Sequence, residues 1–161
     1  MSKKWFGGAV LVAFSAGMMM GCGDDFDGPN SGTWFYAEVS PVENDCNLPE
    51  DQFAAGEFSI ENNDDGTFTV DPEDGNPAFE CTLSGSDFDC PERIAGSYST
   101  QGSTATWRAD AEGSFSDASR MTGTQSGQVT CEGSGCALAE AALGASFPCQ
   151  LEVDFVASFR E

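Results

Sequence analysis

The segment Phe79-Glu-Cys-Thr-Leu-Ser-Gly-Ser-Asp-Phe-Asp-Cys90 constrains the fold more than any other stretch of the chain. A two-residue loop at Gly85-Ser86 would set Ser84 opposite Asp87, Leu83 opposite Phe88, Thr82 opposite Asp89 and Cys81 opposite Cys90. The same register puts Phe79, Cys81, Leu83, Phe88 and Cys90 on one face and acidic and hydroxyl side chains on the other. The polarity pattern and the mirrored cysteines thus select one register. Directly opposed strand residues sit at disulfide distance, so a Cys81–Cys90 bond is expected in an antiparallel hairpin.

Period-two alternation recurs along the chain. Trp34 and Tyr36 alternate with Phe35, Ala37 and Val39 in 33–39. Phe58 and Ile60 alternate with polar residues in 57–61, and Phe68 and Val70 share a face after the turn cluster 62–66. Ala105, Trp107 and Ala109 oppose Thr104, Thr106, Arg108 and Asp110. The Thr- and Gly-rich stretch 120–131 reads as extended, and Leu151, Val153, Phe155, Ala157 and Phe159 line one face of 150–159. Short strands separated by Gly, Asn and Asp turns predict an all-β fold, an antiparallel sandwich or small barrel stabilised by disulfides. One helical insert is expected, Ala137–Leu143, with Gly144 as its C-terminal cap.

The chain has seven cysteines. If Cys22 is set aside, six remain: Cys46, Cys81, Cys90, Cys131, Cys136 and Cys149. An even set in an exported domain reads as a disulfide framework, and six cysteines allow fifteen pairings. Beyond Cys81–Cys90, one scheme closes Cys131-Glu-Gly-Ser-Gly-Cys136 as a small ring and joins Cys46 to Cys149. The rival joins Cys131 to Cys149 and Cys46 to Cys136.

Setting Cys22 aside follows from the N-terminus. Lys3 and Lys4 precede the apolar run Trp5–Met20, which is shorter than the ~20 residues a spanning helix needs. The run ends in Met19-Met20-Gly21-Cys22. This resembles the export signal of a bacterial lipoprotein, in which Leu, a small residue and then Gly or Ala precede a cysteine. Gly21 and Cys22 match; Met19 and Met20 stand at the first two positions. The resemblance implies cleavage before Cys22 and attachment of lipid, of the palmitate type, to that cysteine. It also implies a cell-envelope location. Gly23 rather than Asp follows the cysteine, which by the same resemblance implies the outer membrane of a Gram-negative bacterium. The expected organisation is a signal peptide (1–21), a flexible tether (22–32) and one β-rich domain (33–161). The partner implied is a membrane, reached through the lipid.

Removing residues 1–21 removes both lysines and no acidic residue, so the net charge moves from −21 to −23. Arg93, Arg108, Arg120 and Arg160 then face 27 Asp and Glu, and there is no His. Phosphate binding rests on Lys and Arg, so no nucleic-acid partner is expected. Attraction to cations or to a basic protein partner is physically open. General acid–base and nucleophilic catalysis most often use His or Lys, so no enzyme, catalytic residue or cofactor is expected. No metal centre is expected either. Glu61-Asn-Asn-Asp-Asp-Gly-Thr-Phe68 spaces oxygens like an EF-hand loop, but Pro72 stands where that loop needs a bidentate Glu, so a hairpin turn is expected. Asp71–Asn76 reads as a second acidic turn.

Gly32-Thr33-Trp34 resembles the Gly-x-Trp start of lipocalin-like ligand barrels. The resemblance implies Arg160 packed over Trp34 and a cavity for a small apolar ligand, lined by Trp34, Phe58, Phe68, Trp107 and Phe155. The function expected is a non-enzymatic binding or structural module held at the envelope by lipid, with a lipocalin-like carrier as the alternative.

Overall fold

The computed structural model describes residues 26–48, 54–73, 75–100 and 102–161, without the side chain of Thr100. The signal segment, Cys22 and residues 23–25 lie outside the described residues. Eight strands follow in chain order: β1 (Gly32–Asn44), β2 (Ala55–Asn62), β3 (Thr67–Asp71), β4 (Phe79–Ser84), β5 (Asp87–Thr100), β6 (Ser103–Asp117), β7 (Arg120–Glu132) and β8 (Cys149–Phe159). The one helix among the described residues, α1 (Cys136–Leu143), joins β7 to β8. Each strand pairs antiparallel with the next, and β8 returns to β1, so the sheet closes as an eight-stranded barrel. Of the two expected architectures, closure selects the barrel.

The hairpin forms in the expected register: Ser84 opposes Asp87, Leu83 opposes Phe88 and Thr82 opposes Asp89. Cys81 and Cys90 are bonded with their α-carbons 4.3 Å apart, the spacing of a close cross-strand pair. Cys46 is bonded to Cys149 and Cys131 to Cys136, the first of the two schemes. The helix spans the expected residues, and Gly144 caps it in the left-handed conformation (φ 68°).

The strand ends differ sharply. At one end, tight turns at residues 63–66, 85–86 and 118–119 draw the barrel shut. Phe26–Ser31 lies across it. Asn30 N–H donates to the Ala118 carbonyl and the Trp34 indole donates to the Asn30 carbonyl. Asn62 donates from its side-chain amide to the Asp27 carbonyl, while its backbone N–H donates to the Ser31 hydroxyl. Pro29 is fully buried and Phe26 stacks on Phe115 at 5.2 Å between ring centroids. This part of the expected tether is therefore packed structure, because its two apolar side chains find cover on the barrel end.

A buried aromatic cluster fills that closed end, with Trp34, Phe58, Phe68, Phe88, Phe115 and Phe155 among its members. At the opposite end β1, β5, β6, β7 and β8 run past the short β2–β3–β4 ribbon. A second cluster, Cys46, Val129, Cys149, Leu151 and Val153, fills the space under the long strands, with Trp107 and Phe147 packed against it. Between the two clusters, on the side of the short ribbon, the barrel is hollow.

Candidate functional site

The hollow is a chamber of about 440 Å³ that opens between the ends of the short strands. An eight-stranded barrel is just wide enough either to be filled by its side chains or to hold one small ligand. Residue size decides between these here. Ala54, Gly56, Ala95 and Ala111 occupy lining positions where larger side chains would close the space. The aromatic rings of Tyr36, Phe58, Phe68, Phe79, Phe88 and Phe155 form the walls. Two of these rings owe their positions to glycines. A Cβ on Gly113 would meet Phe88 Cζ at 2.7 Å, and one on Gly123 would meet Phe155 Cζ at 2.8 Å. Gly113 and Gly123 pair directly across β6 and β7, so the two rings lie over a bare patch of backbone.

The expected lining is corrected in two places. Phe58, Phe68 and Phe155 do face the chamber, but Trp34 and Trp107 do not. Trp34 sits in the floor, fully buried, in ring contact with Phe58, Phe115 and Phe159. Trp107 belongs to the second cluster. The expected Arg160–Trp34 contact is also replaced. Trp34 pairs with Phe159 in register, so both rings point inward and residue 160 emerges on the outer face. Arg160 lies there over Phe35, 4.6 Å from the ring centroid.

Two polar residues that sequence reasoning did not single out reach the chamber. A β-bulge follows Cys90, and β5 resumes its pairing at Arg93. Simple alternation would turn Glu92 inward; the extra residue turns Arg93 inward instead. Its guanidinium lies 4.4 Å from the centroid of Phe79 and donates to the Ile94 carbonyl. Gln125 on β7 is the only buried polar or charged residue among the described residues, at 7% exposure. Its ladder neighbours are Ala111 and Val153, which offer a side-chain amide nothing. The Gln125 side chain makes no hydrogen bond to another described residue. The Trp107 indole N–H is buried without a partner, but it lies in the second cluster, away from the lining.

The rim is acidic. Glu57 and Glu73 are exposed beside the opening, and Glu38 on β1 pairs opposite Phe155 without joining the lining. Glu38 accepts a hydrogen bond from Ala54 N–H at 2.7 Å and donates its own N–H to the Ala54 carbonyl at 3.0 Å, which fixes Ala54 at the mouth. Burial pushes the Glu38 carboxyl above the usual range, and the Ala54 bond partly offsets this.

No group of His, Cys, Asp and Glu among the described residues is arranged to hold a metal ion. The EF-hand-like stretch forms the β2–β3 hairpin turn. Its oxygens serve the turn: Asp65 accepts from the Thr67 N–H and hydroxyl, and Asn62 accepts from Asp64 N–H. Asp71 likewise accepts from Glu73 N–H in the second acidic turn.

The fold and site together define a closed eight-stranded antiparallel barrel with an apolar chamber open at one end. The chain matches none of the protein-family models, curated proteins or solved structures with which it was compared.

Proposed function

We propose that this protein is a non-enzymatic, lipid-anchored envelope protein that binds one small apolar ligand in the barrel chamber. The chamber carries the reading. About 440 Å³ falls in the range of small-molecule sites, and its walls are aromatic with few polar groups. The anchor part rests on the N-terminal segment ending at Cys22, and the outer-membrane location rests on Gly23 following it.

The neutral dye N-phenyl-1-naphthylamine tests the chamber. Its fluorescence should rise and saturate at one dye per protein. Ala111→Phe, which projects a ring into the chamber, should abolish the rise while the disulfides and the β-sheet circular dichroism persist. A rise that never saturates, or that survives Ala111→Phe, refutes the reading. Mass spectrometry of the mature N-terminus tests the anchor. It should show a chain starting at Cys22 with acyl mass added, and Cys22→Ser should release the protein from membranes.

A further inference from the structure

We propose that the chamber's ligand is an uncharged amphiphile, an apolar body carrying one hydrogen-bonding group (amide, hydroxyl or carbonyl) that docks on the side-chain amide of Gln125. The inference rests on the ligand-chamber reading above and adds the chemistry of the ligand to it.

Three observations carry it. First, Gln125 is more than nine-tenths buried, lines the chamber and makes no hydrogen bond to another described residue. A carboxamide offers two donors and an acceptor, so it can receive either a hydroxyl or a carbonyl. Second, apolar groups surround it: Ala111 and Val153 beside it, with Met121 and Phe155 on the same lining. A ligand whose polar atom meets Gln125 therefore has most of its remaining surface against carbon. Third, the charged groups do not favour an ionised head. Arg93 already stacks on Phe79 and donates to the Ile94 carbonyl, so its face is engaged. Glu57 and Glu73 stand exposed at the rim of a strongly acidic domain, which repels an entering anion. They are solvated rather than inside the chamber, and the half-buried Glu38 carboxyl is engaged by Ala54 N–H and is not part of the lining, so none of the three offers a free buried counter-charge to an ammonium group.

The chamber also limits size. About 440 Å³ lies in the lower part of the range of small-molecule sites. A ten-carbon chain with a small head fits; a two-chain lipid does not.

A matched ten-carbon series tests the proposal. Decanamide, decanol, decanoate and decylamine are made to displace N-phenyl-1-naphthylamine at neutral pH. Decanamide and decanol should displace the dye at about tenfold lower concentration than either ion. Gln125→Leu should remove that preference, bringing the four heads to within about twofold of one another relative to the dye. The side-chain amide resonances of Gln125 should shift more with decanamide than with decanoate or decylamine at matched occupancy, a readout that needs no variant. Equal affinity for all four heads, or an unmoved amide resonance, overturns the proposal while the chamber reading stands. So does tightest binding of decanoate, which would assign the head to Arg93. No saturable dye binding at all overturns both.

Discussion

Two carboxylates respond to pH in opposite senses. Asp117 is held below the usual carboxylate value, first by the Ser119 hydroxyl and then by the Ser119 backbone N–H. A depressed acid contributes stability above its ordinary value and loses it as pH falls through the folded value. Glu38 is raised by burial, so its charged form costs stability at neutral pH, and the cost fades as pH falls through the folded value. Carboxyl carbon shifts followed by NMR should show Glu38 titrating above, and Asp117 below, the exposed acids. Glu38→Gln should flatten the stability profile over the Glu38 range. Ser119→Ala should return Asp117 toward the ordinary value. Sequence reading reached the residues of the chamber unevenly. Gln125 could have been found: counting inward positions back from Cys131 along β7 gives Val129, Gly127 and then Gln125, a polar residue on a core face. Arg93 could not, since its inward turn depends on a bulge that alternation does not encode.

Strand by strand, the hairpin β4–β5 was the most legible element, because loop, register and cysteines agreed on one geometry. The extension of β5 beyond Cys90 was not legible, because Pro91 and two register shifts break the period-two pattern. The disulfide pairs of the loops at the open end also needed the structure, since both schemes satisfied the spacing. Their contributions should differ with the loop each closes. On chain-entropy grounds Cys46–Cys149, separated by 103 residues, is worth about 4.7 kcal/mol. Cys81–Cys90 and Cys131–Cys136, separated by 9 and 5 residues, are each worth about 2–3 kcal/mol. Paired Cys→Ser variants should rank in that order in denaturant midpoints. Loss of Cys46–Cys149 should also loosen the loop that carries the β1–β2 connection, seen as faster amide exchange there. The β6–β7 ladder makes a separate prediction. Gly113→Val or Gly123→Val would drive Cβ atoms into the Thr122 or Glu112 carbonyl oxygens of the neighbouring strand. Backbone cannot step aside as a side chain can, so each should cost at least about 1–3 kcal/mol in chemical denaturation.

For the molecule as a whole, the all-β class was legible from periodicity, and closure into a barrel was not. Closure depends on β8 finding β1, a pairing between the two ends of the domain that no local pattern announces. The hollow is a property of the same scale. It arises because the small residues Gly56, Ala95 and Ala111 come from three different strands and meet only when the barrel closes. The packed segment Phe26–Ser31 then fixes something further. Under the proposed anchoring, only four residue steps separate the lipid on Cys22 from Phe26, a reach of at most about 14 Å. The sealed end is thereby leashed against the headgroups and the mouth is turned toward the aqueous compartment. A bromine-quenched fluorophore on the 63–66 turn should sense brominated lipid, and one at Glu73 should not. Cargo would then enter from the water side, delivered by another molecule rather than drawn out of the bilayer that holds the barrel.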